Sequence, residues 1–430
     1  MRIPVFALLM LATVGGAPAA SAGVTLYRFA RLVDGDGKLL SAHQVAVDAD
    51  SGRITAVGDN LAARYPAAPA RDLRPLTGLP GLIDVHTHIT YALPAPARGD
   101  AWAELEAAAP ADILAAATEN AKKALFAGIT SVRDLNAEGG LDFYLRALIN
   151  RGIIIGPRIF AAGEGIHPSR FKPPLTDKTR LARVVEFATR QHDAGADWIK
   201  FFATSGSADD LTAKQLFFYP EMKAVADLAH GWGMRVAVHA YGPAAVPDAI
   251  RAGVDSIDHP VGLGAAGFRA MAAAGIVYVP TIDHNRYYAD HAAEYGYDAK
   301  TVRSLHDFVK RNVESLRLAL AAGVRVAMGS DALMSGFGDN ARELTWFVRA
   351  GMTPGAAIAA ATGNGAALLG QEDNLGRIAP GYRADIIAVD GNPLADITAL
   401  TGNIAWVMKN GTVVTGVAAK DGVRKPSGRR

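Results

Sequence analysis

The sequence contains no cysteine among its 430 residues. The chain therefore has neither disulfides nor thiolate ligands, and any metal ion must be bound by histidine, aspartate, glutamate or a modified lysine. A charge imbalance is also lacking, because 44 basic and 42 acidic side chains give a formal net charge of +2. Without Arg2 and the basic tail 424–430, residues 23–423 carry 39 basic and 42 acidic side chains, a net of −3. This balance indicates no nucleic-acid partner, and we expect the tail to be a solvated end.

The apolar run at the start of the chain is too short to cross a bilayer. It extends from Val5 to Val14, follows the basic Arg2 and precedes a small-residue motif at 20–22. This pattern is typical of a secretory signal peptide, which we place at residues 1–22. A lipid anchor is the alternative, but no cysteine is present to carry the lipid. We therefore expect an exported bacterial protein, periplasmic or secreted, with no membrane contact after the signal is removed.

The middle of the chain alternates strand-like and helix-like segments, while its two ends look different. Alternation over residues 81–372 predicts a (β/α)₈ TIM-like barrel. Both ends contain short strand-like runs with turn signals, such as Asn410-Gly411. We predict an α/β protein in which residues 23–80 and 373–423 form one small β-sandwich and the barrel lies between them. Four segments that end near a glycine predict long helices, at 110–128, 178–195, 219–233 and 300–323.

Five short motifs place histidine, lysine or aspartate at the ends of successive apolar runs. Parallel barrel strands bring such residues to one rim, where barrel enzymes carry their chemistry. His86 and His88 lie two residues apart on a strand, so they face the same side and can reach one ion. A metal at this rim can turn water into a nucleophile at neutral pH, which predicts a hydrolase. The predicted metal ligands are His86, His88, Lys200, His239, His259 and Asp331.

Each of these residues has a simpler interpretation when it is taken alone. A single histidine on an apolar strand, such as His239 or His259, is more often a hydrogen-bonded core residue. Lys200 could extend its amine to the surface from a strand end, and Asp331 could cap the next helix. The recurrence of all five motifs in order favours the metal site.

The order of these motifs resembles the amidohydrolase superfamily of binuclear metal hydrolases. The strings PGLIDVHTH and GRIAPGYRADIIAVDGNP resemble the same superfamily. The strings DWIKFFATSG, VAVHAYG, SIDHP and MGSDA are most similar to its imidazolonepropionase-like branch. That branch includes secreted or periplasmic dipeptidases of the Xaa-Pro and Xaa-Arg/Lys type and enzymes that hydrolyse the amide of ochratoxin. The resemblance extends over nearly all of the chain beyond the predicted signal.

The resemblance implies two divalent metal ions and a carbamylated Lys200 that bridges them. Zn²⁺ is the default ion, although the same ligands accept Mn²⁺, Co²⁺ or Fe²⁺. A hydroxide between the ions would attack the scissile carbonyl, and Asp331 would act as general base and then general acid toward the leaving amine. Tyr241 resembles a family tyrosine that hydrogen-bonds the carbonyl. The implied ligand sets are His86, His88, Lys200 and Asp331 for one ion, and Lys200, His239 and His259 for the other.

Side chains beyond several predicted strand ends are candidates for substrate contacts. Arg170 and Lys172 lie near His167 in one loop and could bind a substrate carboxylate. Met334 and Phe337 follow the last motif and could contact an apolar group. Any of these residues could instead lie in a solvated loop. The other candidates are Ser205, Ser207, His284, Asn285, Arg286 and Tyr287.

The predicted activity is hydrolysis of an amide bond in dipeptides or N-acyl amino acids, including ochratoxin-like N-aroyl-phenylalanines. Within the same superfamily, the alternative is hydrolysis of a cyclic amide of the imidazolone type, or deamination of a ring. A non-catalytic barrel is the alternative from another class, but such proteins lose metal ligands and every ligand position is filled here. The predicted partner is a small-molecule amide. The resemblance also implies a homo-oligomer, with an octamer among the expected states.

Overall fold

The computed structural model describes residues 23–207 and 210–416. The predicted signal peptide at 1–22 and the basic tail at 424–430 lie outside the described residues. Across the described ranges, no helix combines the length and the apolar composition that a membrane span requires. Strands and helices are both abundant, which confirms the predicted mixed α/β class.

Elements are numbered in chain order. The strands of the described ranges are β1 (Val24–Arg28), β2 (Arg31–Leu32), β3 (Gln44–Asp48), β4 (Arg53–Gly58), β5 (Ala70–Asp72), β6 (Thr77–Pro80), β7 (Leu82–Thr87), β8 (Ile129–Asp134), β9 (Arg158–Ala161), β10 (Trp198–Phe202), β11 (Arg235–His239), β12 (Ser256–Asp258), β13 (Val277–Val279), β14 (Ile386–Val389), β15 (Ile404–Lys409) and β16 (Thr412–Gly416). The α-helices there are α1 (Leu61–Arg64), α2 (Ala101–Ala107), α3 (Pro110–Phe126), α4 (Leu141–Asn150), α5 (Arg180–Asp193), α6 (Tyr219–Gly231), α7 (Val246–Ala252), α8 (Gly264–Ala273), α9 (Ile282–Asp290), α10 (Ala299–Ala321), α11 (Glu343–Arg349), α12 (Pro354–Ala360) and α13 (Gly363–Leu368). The four long helices predicted from the sequence correspond to α3, α5, α6 and α10.

Two parallel sheets are formed by the middle of the chain. One has the strand order β7-β8-β9 and the other the order β10-β11-β12-β13. At least one helix separates each of these strands from the next. Every residue of β7, β8, β12 and β13 is buried, as parallel strands covered on both faces require.

Isolated bridges connect the edges of these two sheets. A parallel bridge joins Ile166, which follows β9, to Phe201 on β10. Beyond α10, Val326 bridges in parallel to β13, and Ala332 bridges in parallel to β7. Within the described residues, the parallel strands therefore form two sheets with bridged edges rather than one continuous eight-stranded sheet.

Strands from both ends of the chain form two further sheets. One has the order β4-β3-β1-β5, and the other, β16-β15-β14-β6-β2, combines C-terminal strands with two N-terminal ones. One apolar cluster joins the two sheets, with Tyr27 and Val45 from the first and Ile386 and Trp406 from the second. The rings of Tyr27 and Trp406 lie 5.3 Å apart between centroids. Both ends of the chain therefore contribute to a common core.

Arg158 links these terminal strands to the parallel strands. It begins β9, and its Nη1 donates to Asp385 at 2.8 Å and to the hydroxyl of Ser131 on β8 at 2.9 Å. Its Nη2 donates to the side chain of Asn410 at 2.5 Å. Because Asp385 is only 5% exposed, this ion pair is better shielded from water than a surface pair.

Candidate metal centre

The six predicted ligands come from separate elements and meet at the carboxyl ends of the parallel strands. All are buried, with exposed fractions from 0% to 7%. Parallel strands place their carboxyl ends at one edge, which explains how residues far apart in the chain converge. In chain order, they are His86 on β7, His88 just after β7, Lys200 on β10, His239 at the end of β11, His259 just after β12, and Asp331 beyond the bridge at Val326.

The carboxylate of Asp331 lies at the centre of this cluster. Its Oδ1 is 3.2 Å from Nε2 of His88 and 3.6 Å from Nε2 of His86. Its Oδ2 is 3.4 Å from Nε2 of His284 and 3.9 Å from Nδ1 of His259. One carboxylate is therefore surrounded by four imidazoles.

Lys200 and His239 adjoin the same cluster. The ring centroids of His239 and His259 lie 4.8 Å apart. Nζ of Lys200 is 3.9 Å from Oδ2 of Asp258, and that oxygen is 2.9 Å from Nδ1 of His86. The structure thus brings all six predicted ligands together.

Several buried polar atoms of the cluster have no hydrogen-bond partner among the described residues. They include Nε2 of three ligand histidines, Nζ of Lys200 and Oδ1 of Asp331. One ligand atom from each of His86, His259 and Asp331 lies within 4.8 Å of the other two. Unpaired buried polar atoms are costly, and imidazole and carboxylate are the donors that divalent ions such as Zn²⁺ prefer. These residues therefore fit a divalent metal site.

Burial controls protonation in the cluster. Burial, reinforced by the charge of Lys200, lowers the pKa of His86 to about 4, so its imidazole is neutral and able to bind metal. Burial also lowers the pKa of Lys200 to about 8. Burial alone would raise the pKa of Asp331, but His284 and the ligand histidines hold that pKa well below its usual range. At neutral pH His86 therefore offers a neutral imidazole and Asp331 an ionised carboxylate.

Asp84 holds the backbone that carries Asp331. Its two oxygens accept hydrogen bonds from the backbone N and the hydroxyl of Ser330, at 2.9 and 2.5 Å. Asp331 has a φ of 55°, a left-handed conformation that is uncommon for residues with a side chain. Gly329 allows this backbone to pass close to His86 on β7, because a Cβ at position 329 would lie 2.7 Å from the Cβ of His86. The position of Asp331 is therefore set by the two residues before it.

A buried ion pair that sequence reasoning missed adjoins His86. Arg133 on β8 and Asp258 on β12 are both 0% exposed, and Nη2 of Arg133 is 3.5 Å from Oδ2 of Asp258. The guanidinium also donates to the hydroxyl of Ser256 at 3.0 Å and lies 4.4 Å from the ring centre of Trp198. The sequence signal was a charged residue inside each of the apolar strands ITSVRD and SID.

Asp258 orients His86 through the contact with Nδ1. A carboxylate at Nδ1 favours the tautomer that presents an unprotonated Nε2 to the cluster. Although burial raises the pKa of Asp258, the charge of Arg133 and the contact with His86 outweigh it and lower that pKa to about 2. Asp258 therefore remains ionised and can accept a hydrogen bond from Nδ1–H of His86.

A cavity of about 430 Å³ opens over the cluster. Asp331 and three of the histidine ligands line it. Five of the predicted substrate-binding residues and Tyr241 also line it: His167, Arg170, Ser205, Ser207 and His284. Sequence reasoning missed several others, because nothing in their local sequence indicates a contact with the cavity: Tyr91, Trp102, Asn136, Phe202 and Tyr288.

Six candidates for substrate contacts do not line this cavity: Lys172, Asn285, Arg286, Tyr287, Met334 and Phe337. Arg286 donates from Nε to Asp283 at 2.6 Å and also pairs with Asp290, next to a separate cavity of about 180 Å³. These helical neighbours on α9 already satisfy its charge. Met334 is 7% exposed and packs in an apolar cluster with Tyr287.

Tyr241 lines the cavity beside the histidine cluster. It is 2% exposed, and its ring stacks on His239 with 5.0 Å between centroids. Its hydroxyl accepts from Nδ2 of Asn285 at 3.4 Å. Burial raises the pKa of Tyr241, so the hydroxyl stays protonated and can donate a hydrogen bond.

Asp258→Asn is expected to lower the affinity of the protein for divalent metal by about 10- to 100-fold, because His86 loses the carboxylate that orients it. Chelator competition with the purified protein measures this affinity. The matched control is Asp255→Asn, three residues earlier, where the carboxylate accepts from His230 at 3.0 Å. Equal metal affinity in the folded Asp258→Asn variant and the control would rule out the orienting role.

Known proteins resemble this chain over most of its length. The amidohydrolase family matches residues 77–414. Ochratoxinase from Aspergillus niger is 29% identical over 410 residues, which cover 87% of this chain and 83% of that protein. Imidazolonepropionase from Rubrobacter xylanophilus is 27% identical over 420 residues, which cover 88% of this chain and 92% of that protein.

A solved structure extends the likeness to the fold. The crystal structure of a Xaa-Pro dipeptidase with bound methionine in its active site superposes with a TM-score of 0.79 at 31% identity. The match covers 91% of this chain and all of the other. The resemblance inferred from the motifs is thereby confirmed: this chain belongs to the amidohydrolase family.

Proposed function

We propose that this chain is a binuclear metal-dependent amidohydrolase that cleaves the amide bond of dipeptides or N-acyl amino acids, including ochratoxin-like N-aroyl-phenylalanines. The observation that carries the proposal is the convergence of six buried ligand side chains under one cavity. The likeness to ochratoxinase and to a Xaa-Pro dipeptidase supports amide hydrolysis. In this reaction water adds to the carbonyl carbon and the C–N bond breaks. The products are a carboxylic acid and an amine.

The bridges between the edges of the two parallel sheets support a closed barrel. We infer that a TIM-like barrel lies at residues 81–372. Its eight strands would be β7 to β13 and the bridged segment from Val326 to Ala332. The two terminal sheets and their common core support a small β-sandwich from residues 23–80 and 373–423. A signal peptide at 1–22, export to a bacterial periplasm and a homo-oligomeric state complete the proposal.

Two divalent ions, with Zn²⁺ as the default, fit the donor set. His86, His88 and Asp331 would hold one ion, His239 and His259 the other, and Lys200 both. A carbamylated Lys200 is supported by its buried, unpartnered Nζ and by a pKa lowered to about 8, because a neutral amine reacts with carbon dioxide. Such ions supply Lewis acidity toward a carbonyl and lower the pKa of water.

The residues of the cavity floor then carry the proton and orient the substrate. Asp331 takes a proton from the attacking water and delivers it to the leaving amine. The Tyr241 hydroxyl donates to the carbonyl oxygen and stabilises the charge that develops there. Nδ1 of His284 donates to the backbone carbonyl of Asp331 at 2.9 Å. This hydrogen bond helps to hold the Asp331 carboxylate at the cavity floor. Arg170 and His167 lie where a substrate carboxylate could bind.

The likeness to imidazolonepropionase favours a second candidate, hydrolysis of a cyclic amide. A panel of dipeptides, N-acyl amino acids, imidazolone-type rings and ring amines, assayed with added Zn²⁺, Mn²⁺ or Co²⁺, separates the two. We expect turnover of the linear amides and loss of turnover after chelation. Turnover of the cyclic substrates alone would reverse the assignment, and turnover of none would reject an amidohydrolase activity.

Asp331→Asn is expected to leave the fold intact but to reduce kcat by about 10²- to 10⁴-fold, because the amide cannot accept and return the proton. Steady-state kinetics on the best linear amide, with circular dichroism as a folding check, measures this. Asp339→Asn is the matched control, since that carboxylate is exposed and pairs only loosely with Arg342 at 3.7 Å. Wild-type turnover in Asp331→Asn would refute the proton-transfer role.

A further inference from the structure

A separate cavity of about 330 Å³ adjoins the one over the ligand cluster. Arg170 lines both cavities, but none of the six predicted metal ligands lines this second one. Four cationic side chains and a single carboxylate, that of Glu186, border it. We call it the basic cavity, and its lining residues are Arg170, Phe171, Lys172, Arg183, Glu186 and Arg190.

A helix and a loop form the two sides of the basic cavity. Arg183, Glu186 and Arg190 lie on α5 with spacings of three and four residues, which places them on one helix face. The loop at 170–174 supplies the other charged side chains. Nη1 of Arg183 donates to the backbone carbonyls of Pro173 at 2.6 Å and Pro174 at 3.5 Å. These hydrogen bonds tie the loop to the helix and keep the two sides together.

Two buried aromatic rings support the guanidinium groups of the basic cavity. The guanidinium carbon of Arg183 lies 5.5 Å from the ring centre of Phe171, and that of Arg190 lies 5.2 Å from the ring centre of Phe187. The two rings contact each other with centroids 5.5 Å apart. Both belong to the main apolar core. Guanidinium groups that rest on fixed rings lose less conformational freedom when a ligand binds.

Two of the four cations have no acidic partner. Arg190 pairs with Glu186 at 3.0 Å, and Arg170 pairs with carboxylates outside the lining. Within the ranges that the structure describes, no carboxylate oxygen lies within 4 Å of the charged nitrogens of Lys172 or Arg183. Like charges that border one small cavity repel each other, so a bound anion would relieve this repulsion.

The donors and the size of the basic cavity indicate the class of anion. A guanidinium has five N–H groups in a fork that matches an oxyanion, and Nη1 of Arg183 is the nitrogen that the loop carbonyls occupy. Lys172 adds an ammonium. The volume is near the lower end of the range for small-molecule pockets, about 300–1,000 Å³. A phosphate group suits this site, because it combines a charge of about −1.5 to −2 with several acceptor oxygens in a compact form.

We propose that the basic cavity is a binding site for a small phosphate dianion, held by Arg183 and Lys172. The ligand is inorganic phosphate or the phosphate group of a small phosphomonoester. This site lies outside the metal centre and takes no part in amide hydrolysis, so the inference goes beyond the proposed function. Its outcome leaves the proposed function untouched, because binding is measured without an amide substrate.

Isothermal titration calorimetry of the metal-loaded protein tests the site. The probes are inorganic phosphate, glycerol 3-phosphate and succinate, each at constant ionic strength set with sodium chloride. We expect saturable binding of both phosphate probes and weaker binding of succinate, whose two charges lie further apart. Phosphate also has affinity for metal ions, so variants are needed to assign the heat to the basic cavity.

Arg183→Gln is expected to weaken phosphate binding by about 10-fold or more, because it removes charge-assisted hydrogen bonds. Lys172→Gln, on an exposed part of the loop, is a second variant that leaves the helix contacts intact and should weaken binding by about 2- to 5-fold. Glu186→Gln should tighten binding by about 2- to 5-fold, since it removes the carboxylate of the lining. The matched control is Arg64→Gln, because that guanidinium also rests on a ring, Tyr65 at 5.3 Å, but does not line the basic cavity.

The opposite signs of these changes separate a binding site from a folding effect, because a variant that only disturbs the fold does not tighten binding. Weaker binding in Arg183→Gln or Lys172→Gln, with tighter binding in Glu186→Gln and no change in the control, supports the site. Absence of saturable phosphate binding to the wild-type protein overturns it. Phosphate binding that is equal in wild type and in both weakening variants assigns the ion to the metal centre and also overturns it, as does tighter binding of succinate than of phosphate.

Discussion

The structure depends on a cluster of ionisable side chains that are buried without enough partners of their own. Asp331 lies within 4 Å of four imidazoles, yet the Nε2 atoms of His86, His239 and His259 have no hydrogen-bond partner among the described residues. Such an arrangement is unfavourable unless a cation satisfies it. A bound divalent ion would satisfy these atoms and stabilise this end of the parallel strands. The proposed amide hydrolysis depends on the same ions, because they would activate the attacking water.

Residues without a direct role in the chemistry hold the cluster in place from two directions. Asp84 holds the backbone of Ser330 and thereby places Asp331. The Arg133–Asp258 pair contacts His86 from the other strands and orients its ring. Buried charges of this kind are costly by themselves and are usually retained where they position other groups. The predicted ligands are thus held by buried polar contacts as well as by apolar packing.

Sequence patterns were sufficient for elements whose signal is local. The long helices α3, α5, α6 and α10 and the ligands at strand ends follow from periodicity and spacing within short windows. Contacts between distant elements were not visible, so Arg133 and Asp258, 125 positions apart in the chain, were missed. The cavity residues Tyr91 and Tyr288 were missed for the same reason, since Tyr91 follows β7 and Tyr288 lies on α9. Arg286 was a candidate because it follows a predicted strand end, but the structure places it on α9, where it pairs with Asp283 and Asp290 away from the cavity over the cluster.

The central claim is that the six side chains form one site for a pair of divalent ions. The most direct test is the metal content of the purified protein after loading with Zn²⁺ and removal of free metal, measured by inductively coupled plasma mass spectrometry. We expect two ions per chain, in keeping with the two proposed ligand sets that share Lys200. A well-folded protein that retains no ion would contradict it.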